Sequence, residues 1–339
     1  MNPVEPTLLE WKNCIQAALQ FKEKRCWTWI TDEMIFGVQN PEDGQIGYCC
    51  VMGTSDEMAA LSIHLGSEGL EGLQRIRRED LLAEEFMHIQ YGLILSFESK
   101  ELLEEQEITL MNLLGWQGGR QGWPCLRYFE PGFVPWFLNG AQVRFMTIAL
   151  QQVIEIAESF RFRPERIRQA GSSYYLVRTP LLQNGRLIWT DRWLEPKPVV
   201  RTPLRAVRFD ELRLRKLQKS LPKRLGVWEL DYFYSPIPMR GKDKPYYPKM
   251  CLILDHTSGQ ILLNHLAETA DDRSEFVEQW LEMMLRLQGR PYTLLVQRSE
   301  VMDCFGAAAR VLNVRMERSP QLLYLEEVKM NLYDELAPF

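Results

Sequence analysis

The chain of 339 residues is 46% hydrophobic and 25% charged, with a formal net charge of −5. This composition excludes bulk disorder, and the length predicts two domains, since single cores seldom grow beyond about 250 residues. No apolar run approaches the roughly 18 residues of a membrane helix, and the N-terminus lacks the features of a signal peptide, so we expect a cytoplasmic protein that does not bind membranes.

The cysteines and histidines do not follow a metal-binding pattern. The seven cysteines are odd in number and have no C-x-x-C spacing, which argues against a zinc knuckle and a redox dithiol. We expect buried, reduced thiols, because free cysteine packs as a small hydrophobe. The four histidines fall in elements too far apart to share one ion. We therefore predict no metal and no cofactor.

Residues 1–195 are predicted to form an α+β domain. The helical spacing of Leu8, Trp11, Ile15 and Leu19 predicts an N-terminal helix, and Asn184-Gly185 predicts a tight hairpin turn. The predicted strands are at residues 34–38, 46–52, 59–65, 86–97, 125–129, 174–179 and 186–193, and the helices are at residues 8–25, from 68 onward, 99–114 and 141–160.

Three glycines, Gly66, Gly69 and Gly72, form the spacing G-x-x-G-x-x-G at the start of the second predicted helix. This spacing differs from the G-x-G-x-x-G dinucleotide fingerprint, and Glu68 and Glu71 between the glycines would repel a phosphate. We interpret the segment as a strand-to-helix turn, with a phosphate cradle as the alternative.

A glycine-rich loop at residues 115–124 contains Trp116, Arg120 and Trp123. These three residues are candidates for ligand binding, because two aromatic rings and a cation can enclose a small molecule. The favoured alternative is that the tryptophans anchor the loop by packing against the sheet.

Residues 196–249 are predicted as a proline-containing linker with a basic helix at residues 209–221. Residues 197–249 contain fourteen Lys or Arg against five Asp or Glu, although the whole chain is acidic. The strip at residues 205–224 is therefore a candidate surface for an anionic partner such as nucleic acid, with Arg213, Arg215, Lys216 and Lys219 as candidate contacts. A solvated helix face is the favoured alternative, since no nucleic-acid-binding motif accompanies the charges.

Residues 250–339 are predicted as an α/β domain with a mixed sheet, in which a β-hairpin leads into a β-α-β-α-β arrangement. The continuous apolar run at residues 250–254 indicates a strand buried on both faces. Asp272 and Glu275 have the spacing of a capping box for the next helix. Strands at residues 292–296 and 314–317 flank a helix at residues 301–312.

Asp255 ends the first predicted strand of this domain. The sequence from Leu254-Asp255-His256 through the hairpin and helix to Gly289-Arg290-Pro291 resembles a ribonuclease-H-like or integrase-type core. The resemblance implies a second acid at the next strand end, where the chain has Gln297 and Arg298. Since two-metal chemistry needs several carboxylates, Asp255 and Glu300 are the candidate catalytic residues, expected at facing strand ends. The favoured alternative is that Asp255 opens the hairpin as an Asx-turn residue.

A second resemblance covers most of the chain. Residues 127–136, with the sequence RYFEPGFVPW ahead of a long predicted helix, resemble a bacterial family of uncharacterised two-domain proteins. Phe36-Gly37-Val38, Gly47-Tyr48, Val51-Met52-Gly53 and the LGSEGL segment at residues 65–70 resemble the same family. This resemblance implies a fold neighbourhood and no catalytic residues.

We therefore predict a non-catalytic cytoplasmic binding or interaction protein, whose partner is an unidentified protein or an anionic molecule. The prediction rests on the lack of a complete catalytic constellation beside the α/β domain. Two alternatives stay open: a metal-dependent nuclease-like enzyme built on Asp255, and a nucleic-acid binder that uses residues 205–224.

Overall fold

The structure, a computed structural model, describes residues 4–53, 59–79, 81, 83–116, 122–167, 173–200, 207, 209–267 and 273–336. The chain forms two compact units, of which the first comprises Met1–Leu81, Ile89–Pro131 and Pro135–Val200. The second comprises Leu82–His88, Gly132–Val134 and Arg201–Phe339. Both units combine helices with a mixed sheet, which confirms the predicted two-domain α and β architecture.

The first unit is built on a seven-stranded sheet. Its elements in chain order are α1 (Leu8–Lys24), β1 (Phe36–Gln39), β2 (Ile46–Met52), β3 (Ala60–Leu65), α2 (Gly66–Arg77), β4 (Gly92–Glu98), α3 (Glu105–Leu113), β5 (Trp123–Phe129), α4 (Gly140–Ser159), β6 (Tyr175–Gln183) and β7 (Arg186–Leu194). The strand order is β5-β4-β3-β2-β1-β6-β7. Neighbours pair antiparallel except β1 and β6, which are parallel.

Local signals determine where several of these elements begin and end. Thr7 and Glu10 form a capping box at the start of α1, and Asn139 and Gln142 form another at the start of α4. The predicted strand at residues 86–97 begins only at Gly92, the first residue that pairs with β3, and Ala83–His88 is a short 3-10 helix instead. Apolar residues of α1 and α4 pack in one core on the sheet, and those of α2 pack on the other face.

The three glycines at residues 66–72 have a structural explanation. Gly66 has a left-handed φ of 61° directly after β3, where the chain turns into α2. A Cβ at Gly69 would lie 2.5 Å from the carbonyl oxygen of Tyr91, and one at Gly72 would lie 2.6 Å from that of Ile89. The glycines therefore let α2 approach the neighbouring backbone closely, as the strand-to-helix interpretation predicts.

The second unit is built on a five-stranded sheet. Its elements in chain order are α5 (Glu211–Ser220), β8 (Val227–Tyr234), β9 (Lys249–Asp255), β10 (Ile261–Leu266), α6 (Arg273–Leu287), β11 (Thr293–Val296), α7 (Ser299–Val311), β12 (Arg315–Arg318) and α8 (Leu323–Leu336). The strand order is β10-β9-β8-β11-β12. The first three strands along the chain form an antiparallel meander, and β8, β11 and β12 are parallel.

The middle strand of this sheet, β8, lies inside the segment 196–249 that the sequence predicts as a linker with one helix. The helix is present as α5, but the sheet begins at Val227 and not at residue 250. The cause is visible in the sequence VWELDYFY, in which two acids interrupt an otherwise apolar strand. The continuous apolar run in β9 is buried on both faces, as predicted.

Two helical layers cover the second sheet. Residues of α5, α6 and α7 pack against one face, which includes Trp228, Leu230 and Ile253. Leu325 of α8 packs on the opposite face against Phe233 and Leu252. Because successive residues of a strand point to opposite faces, Glu229 and Asp231 lie on the face that α8 covers. Within the described residues, no helix combines the length and apolar character needed to cross a membrane.

Candidate functional site

Asp231 lies in the middle of the second sheet with no solvent exposure. Its Oδ1 atom accepts hydrogen bonds from Nε of Arg298 at 3.0 Å and from Nη2 of Arg298 at 2.5 Å, as well as from the backbone N–H of Tyr232. Its Oδ2 atom accepts from the ammonium group of Lys329, which is only 4% exposed. One buried carboxylate is thus held between two basic side chains.

Glu229, two residues earlier on β8, is also fully buried. Its Oε1 atom lies 2.6 Å from Nδ1 of His256, and its Oε2 atom accepts a hydrogen bond of 2.9 Å from the backbone N–H of Leu325. Both oxygens of this second carboxylate are therefore occupied. We call Glu229, Asp231, His256, Arg298 and Lys329 the β8 ion cluster.

The sheet order explains how residues far apart in sequence meet in this cluster. Because β11 runs parallel to β8, with Leu295 opposite Glu229, the residues just after β11 lie beside Asp231. Arg298 lies two residues after the end of β11 and also donates to the carbonyl oxygen of Tyr232. Lys329 comes from α8, which crosses the same face of the sheet.

The resemblance to a ribonuclease-H-like core implies metal ions bound by acids on the central strands. Glu229 and Asp231 do not fit the role of metal ligands. All four oxygens of Glu229 and Asp231 are engaged by protein groups. A divalent cation 4 Å from Lys329 or Arg298 would meet a repulsion of roughly 8 kcal/mol from each at an effective dielectric constant of about 20. The described residues contain no group of three His, Cys, Asp or Glu side chains able to hold a metal ion.

The candidate residue Asp255 is engaged in the hairpin turn between β9 and β10. Its Oδ1 atom accepts from the backbone N–H groups of Thr257 at 3.0 Å and Ser258 at 2.8 Å, and from the Ser258 hydroxyl. Burial raises the pKa of Asp255, but these hydrogen bonds outweigh burial and leave the pKa below its ordinary value. This geometry is that of the predicted Asx turn.

Asp255 and Glu300 do not face each other, in contrast to the expectation from the sequence. Asp255 pairs with Trp228 at the start of β8, because β9 runs antiparallel to β8. Glu300 lies in the first turn of α7, and its carbonyl oxygen accepts from the hydroxyl of Tyr232, four residues further along β8. Four residues of strand span about 13 Å. The two acids therefore lie toward opposite ends of the sheet, because β9 runs antiparallel to β8 and hence to β11, whereas facing strand ends require parallel strands.

Replacing Asp255 with alanine is expected to lower the free energy of unfolding by about 1 kcal/mol, because one exposed turn loses its side-chain acceptor. Asp255→Asn is expected to lower it less, since the amide oxygen can still accept from Thr257 and Ser258. Urea denaturation of both variants measures the difference. A loss of more than about 3 kcal/mol in Asp255→Ala would contradict a role confined to the turn.

The aromatic loop candidates belong to the core of the first unit. Trp123 is 7% exposed at the start of β5, and Trp116 packs against the same core with its indole Nε1 atom buried and without a hydrogen-bond partner. Arg120 lies outside the described residues. Both tryptophans thus occupy the positions expected of packing anchors.

The basic strip is engaged at several of its residues by neighbouring groups. Arg213 forms an ion pair of 2.8 Å with Glu278, and Arg215 forms one of 2.6 Å with Glu211. Arg224 donates to two backbone carbonyl groups, those of Pro291 and Asn313. Lys216 and Lys219 are exposed on α5, whose apolar residues Leu214 and Leu217 pack inward. The helix has the amphipathic form expected of a solvated face.

Glu229, Asp231 and Lys329 are not among the site residues predicted from the sequence. A signal for the two acids was present, since they occupy alternate positions in an otherwise apolar strand, and charged residues are almost never fully buried unless they are paired. Arg298 was recognised only as a departure from the expected acid. No local signal connects Lys329 to β8, because it lies 98 residues from Asp231 in the chain.

Two family models match the chain. The Domain of unknown function DUF7309 matches residues 11–178, and the Domain of unknown function DUF6930 matches residues 213–333. Among solved structures, the chain is similar to one in the cryo-electron microscopy structure of the simian T-cell lymphotropic virus intasome in complex with PP2A regulatory subunit B56 gamma. That similarity has 18% identity and a TM-score of 0.25, and it covers 33% of this chain and 38% of that chain. No curated protein matches. The chain therefore contains two domains that match family models of unknown function, which agrees with the predicted uncharacterised two-domain family.

Proposed function

We propose that this protein is a non-catalytic binding protein, in which the second unit uses a ribonuclease-H-like sheet as a scaffold. The observation that carries the proposal is the β8 ion cluster, in which Arg298 and Lys329 hold the buried carboxylate of Asp231. Their charges neutralise the acid and repel a metal ion from the place where phosphoryl-transfer chemistry would need one.

The strand arrangement supports the choice of scaffold. An antiparallel meander of β8, β9 and β10 is followed by β11 and β12, which lie parallel to β8 on its other side. This arrangement agrees with the core that the sequence resembles, with β8 as its first strand. The acid that the resemblance implies on the first strand is then Asp231 and not Asp255. The next strand end, where the resemblance implies a second acid, supplies Arg298, which binds Asp231 instead.

We further propose that the protein acts in the cytoplasm. The cysteines at residues 14, 26, 49, 50, 125, 251 and 304 are free and buried. Burial raises the pKa of the Cys14 and Cys304 thiols to about 12, which keeps them protonated and poorly reactive at neutral pH. Unpaired cysteines of this kind are typical of proteins in a reducing compartment.

Calorimetric titration with Mn²⁺ and Mg²⁺, together with a nuclease assay on single-stranded and double-stranded DNA and RNA, tests the proposal. The full chain is expected to show no saturable metal binding at micromolar concentrations and no metal-dependent cleavage. Asp231→Asn and Asp255→Ala serve as matched variants, with circular dichroism to verify that each is folded. Metal-dependent cleavage lost in either variant would contradict the proposal, and the variant that loses it would identify the acid responsible.

The alternative proposal, a nucleic-acid binder that uses residues 205–224, has less support because Arg213, Arg215 and Arg224 already contact protein groups. A gel-shift series at rising salt separates the two proposals. Retardation at low salt that weakens in Lys216→Ala and Lys219→Ala would favour the nucleic-acid binder, because phosphate contacts by these lysines are lost. Absence of retardation at every salt concentration would favour a protein partner.

A further inference from the structure

The end of the β6–β7 hairpin extends beyond the rest of the first sheet. β1 pairs with β6 only at Val177 and Arg178, whereas β6 and β7 stay paired as far as Gln183 and Arg186. The turn residues Asn184 and Gly185 both have positive φ, as a two-residue type I′ turn requires. The residues nearest the turn therefore form a two-stranded ribbon.

This ribbon is apolar on both of its faces. Leu181 and Ile188 are opposite each other on one face, and Leu182 and Leu187 are opposite each other on the other face. The exposed fractions of these side chains are 49%, 41%, 72% and 44% in the same order. A two-stranded ribbon is at best marginally stable in water, so a ribbon with this much exposed apolar surface gains stability when it is covered.

The strand β7 is the last strand of its sheet, and among the described residues no further strand pairs with its outer edge. Its nine residues contain no proline and no lysine, and its pairing with β6 has no bulge, so three of the usual protections of an edge strand are missing. Its charged residues Arg186, Asp191 and Arg192 lie outside the segment 187–190. In a hairpin with a two-residue turn, the pair beside the turn exchanges both backbone hydrogen bonds, and the pattern then alternates. Leu187, Trp189 and Asp191 therefore direct their backbone N–H and C=O groups toward the open edge.

We propose that two copies of this chain associate by antiparallel pairing of β7 with β7, with Ile188 on the two-fold axis. This register places Leu187 opposite Trp189 of the second copy. The backbone N–H and C=O groups of both residues point toward the open edge, so the two residues can exchange hydrogen bonds. The two Ile188 side chains then meet in a non-hydrogen-bonded pair, where side chains are closest. Such a self-complementary contact of one strand with itself is the usual form of a two-fold dimer.

The side chains select a second copy in this register as the occupant. With Ile188 on the axis, Arg186 lies opposite Thr190, and the apolar residues near the turn of one ribbon pack against those of the other. A register shifted by two residues, with Thr190 on the axis, would place Arg192 opposite Ile188 and Arg186 opposite Leu194. The paired region is short and the apolar area small compared with the roughly 1,200 Å² of stable interfaces, so the dimer is expected to be weak.

Ile188→Cys in the full chain tests the register directly. The Cα atoms of a non-hydrogen-bonded antiparallel pair are about 4.5 Å apart, within the range that a disulfide spans. With oxidised glutathione as oxidant, this variant is expected to form a covalent dimer, while the native cysteines are buried and give little background. Leu181→Cys is the matched control. Leu181 lies on the same face of the ribbon but on β6, so three strand spacings, about 14 Å, would separate it from Leu181 of the second copy.

Light scattering after size-exclusion chromatography provides the second measurement. The unmodified chain is expected to shift from monomer to dimer as its concentration rises, and Ile188→Lys is expected to raise the concentration needed at least tenfold, because two ammonium groups would meet on the axis. Equal cross-linking of Ile188→Cys and Leu181→Cys would overturn the proposal. A chain that stays monomeric at several hundred micromolar would also overturn the proposal, and β7 would then pair with a different partner or with none.

Discussion

Replacing Asp231 with alanine is expected to lower the free energy of unfolding by about 3 to 5 kcal/mol. The carboxylate is fully buried and neutralises Lys329, which is itself 4% exposed, so its removal takes away the anion that this buried ammonium group contacts. Arg298 is about one-fifth exposed and can turn toward water, so most of the loss is expected to come from Lys329. Urea denaturation, with hydrogen exchange of the β8 amides to locate the change, measures the effect.

A double replacement shows how much of the change in the free energy of unfolding comes from a buried charge and how much comes from lost packing volume. Asp231→Leu combined with Lys329→Met removes both charges and keeps apolar volume, so the double variant is expected to be more stable than Asp231→Ala. If Asp231→Ala and Lys329→Ala each change the free energy of unfolding by less than about 1 kcal/mol, the ion cluster does not stabilise the sheet in the way that its burial implies.

Gly69→Ala is expected to destabilise the first unit by about 1 to 3 kcal/mol. The added Cβ atom would lie 2.5 Å from the carbonyl oxygen of Tyr91 and 2.8 Å from the backbone carbon of His64, so α2 must move away from the sheet. For a unit of this size, each 1 kcal/mol corresponds to a decrease in Tm of about 2 to 4 °C. Differential scanning calorimetry measures the shift.

Gly306→Ala is the matched control for that experiment. Gly306 also lies within a helix, but a Cβ atom there would have no neighbour within 4 Å. Alanine favours the helix over glycine by about 1 kcal/mol, so this variant is expected to be slightly more stable. A decrease in Tm for Gly306→Ala as large as that for Gly69→Ala would show that contact with the Tyr91 backbone is not the cause.

Features that depend on neighbouring residues were predictable from the sequence. The Asn184-Gly185 turn, the Asx turn at Asp255 and the two-sided burial of β9 depend on residues within a few positions of each other. The glycine spacing at residues 66–72 predicts a strand-to-helix turn for a similar reason. The contact that requires Gly69 is with the carbonyl oxygen of Tyr91, just before β4, and only the structure shows it.

The candidate site was less predictable, because its residues meet only through the sheet. The sequence directed attention to Asp255, which ends a strand, and to Glu300, but antiparallel pairing of β9 with β8 sends them toward opposite ends. Asp231 lies inside a strand whose two acids disrupted the apolar pattern, so this strand was interpreted as part of a linker.

By itself, the sequence determined the class of each domain, most of the helices and strands, and the reduced state expected of the cysteines, because these depend on local periodicity and composition. Only the tertiary structure decided which basic groups pair with the buried acids of β8. Lys329 reaches Asp231 across 98 residues of chain, and the low solvent exposure of both groups makes their pairing necessary. A buried charge must be neutralised by whatever the fold brings beside it, and no pattern in the sequence of β8 specifies that partner.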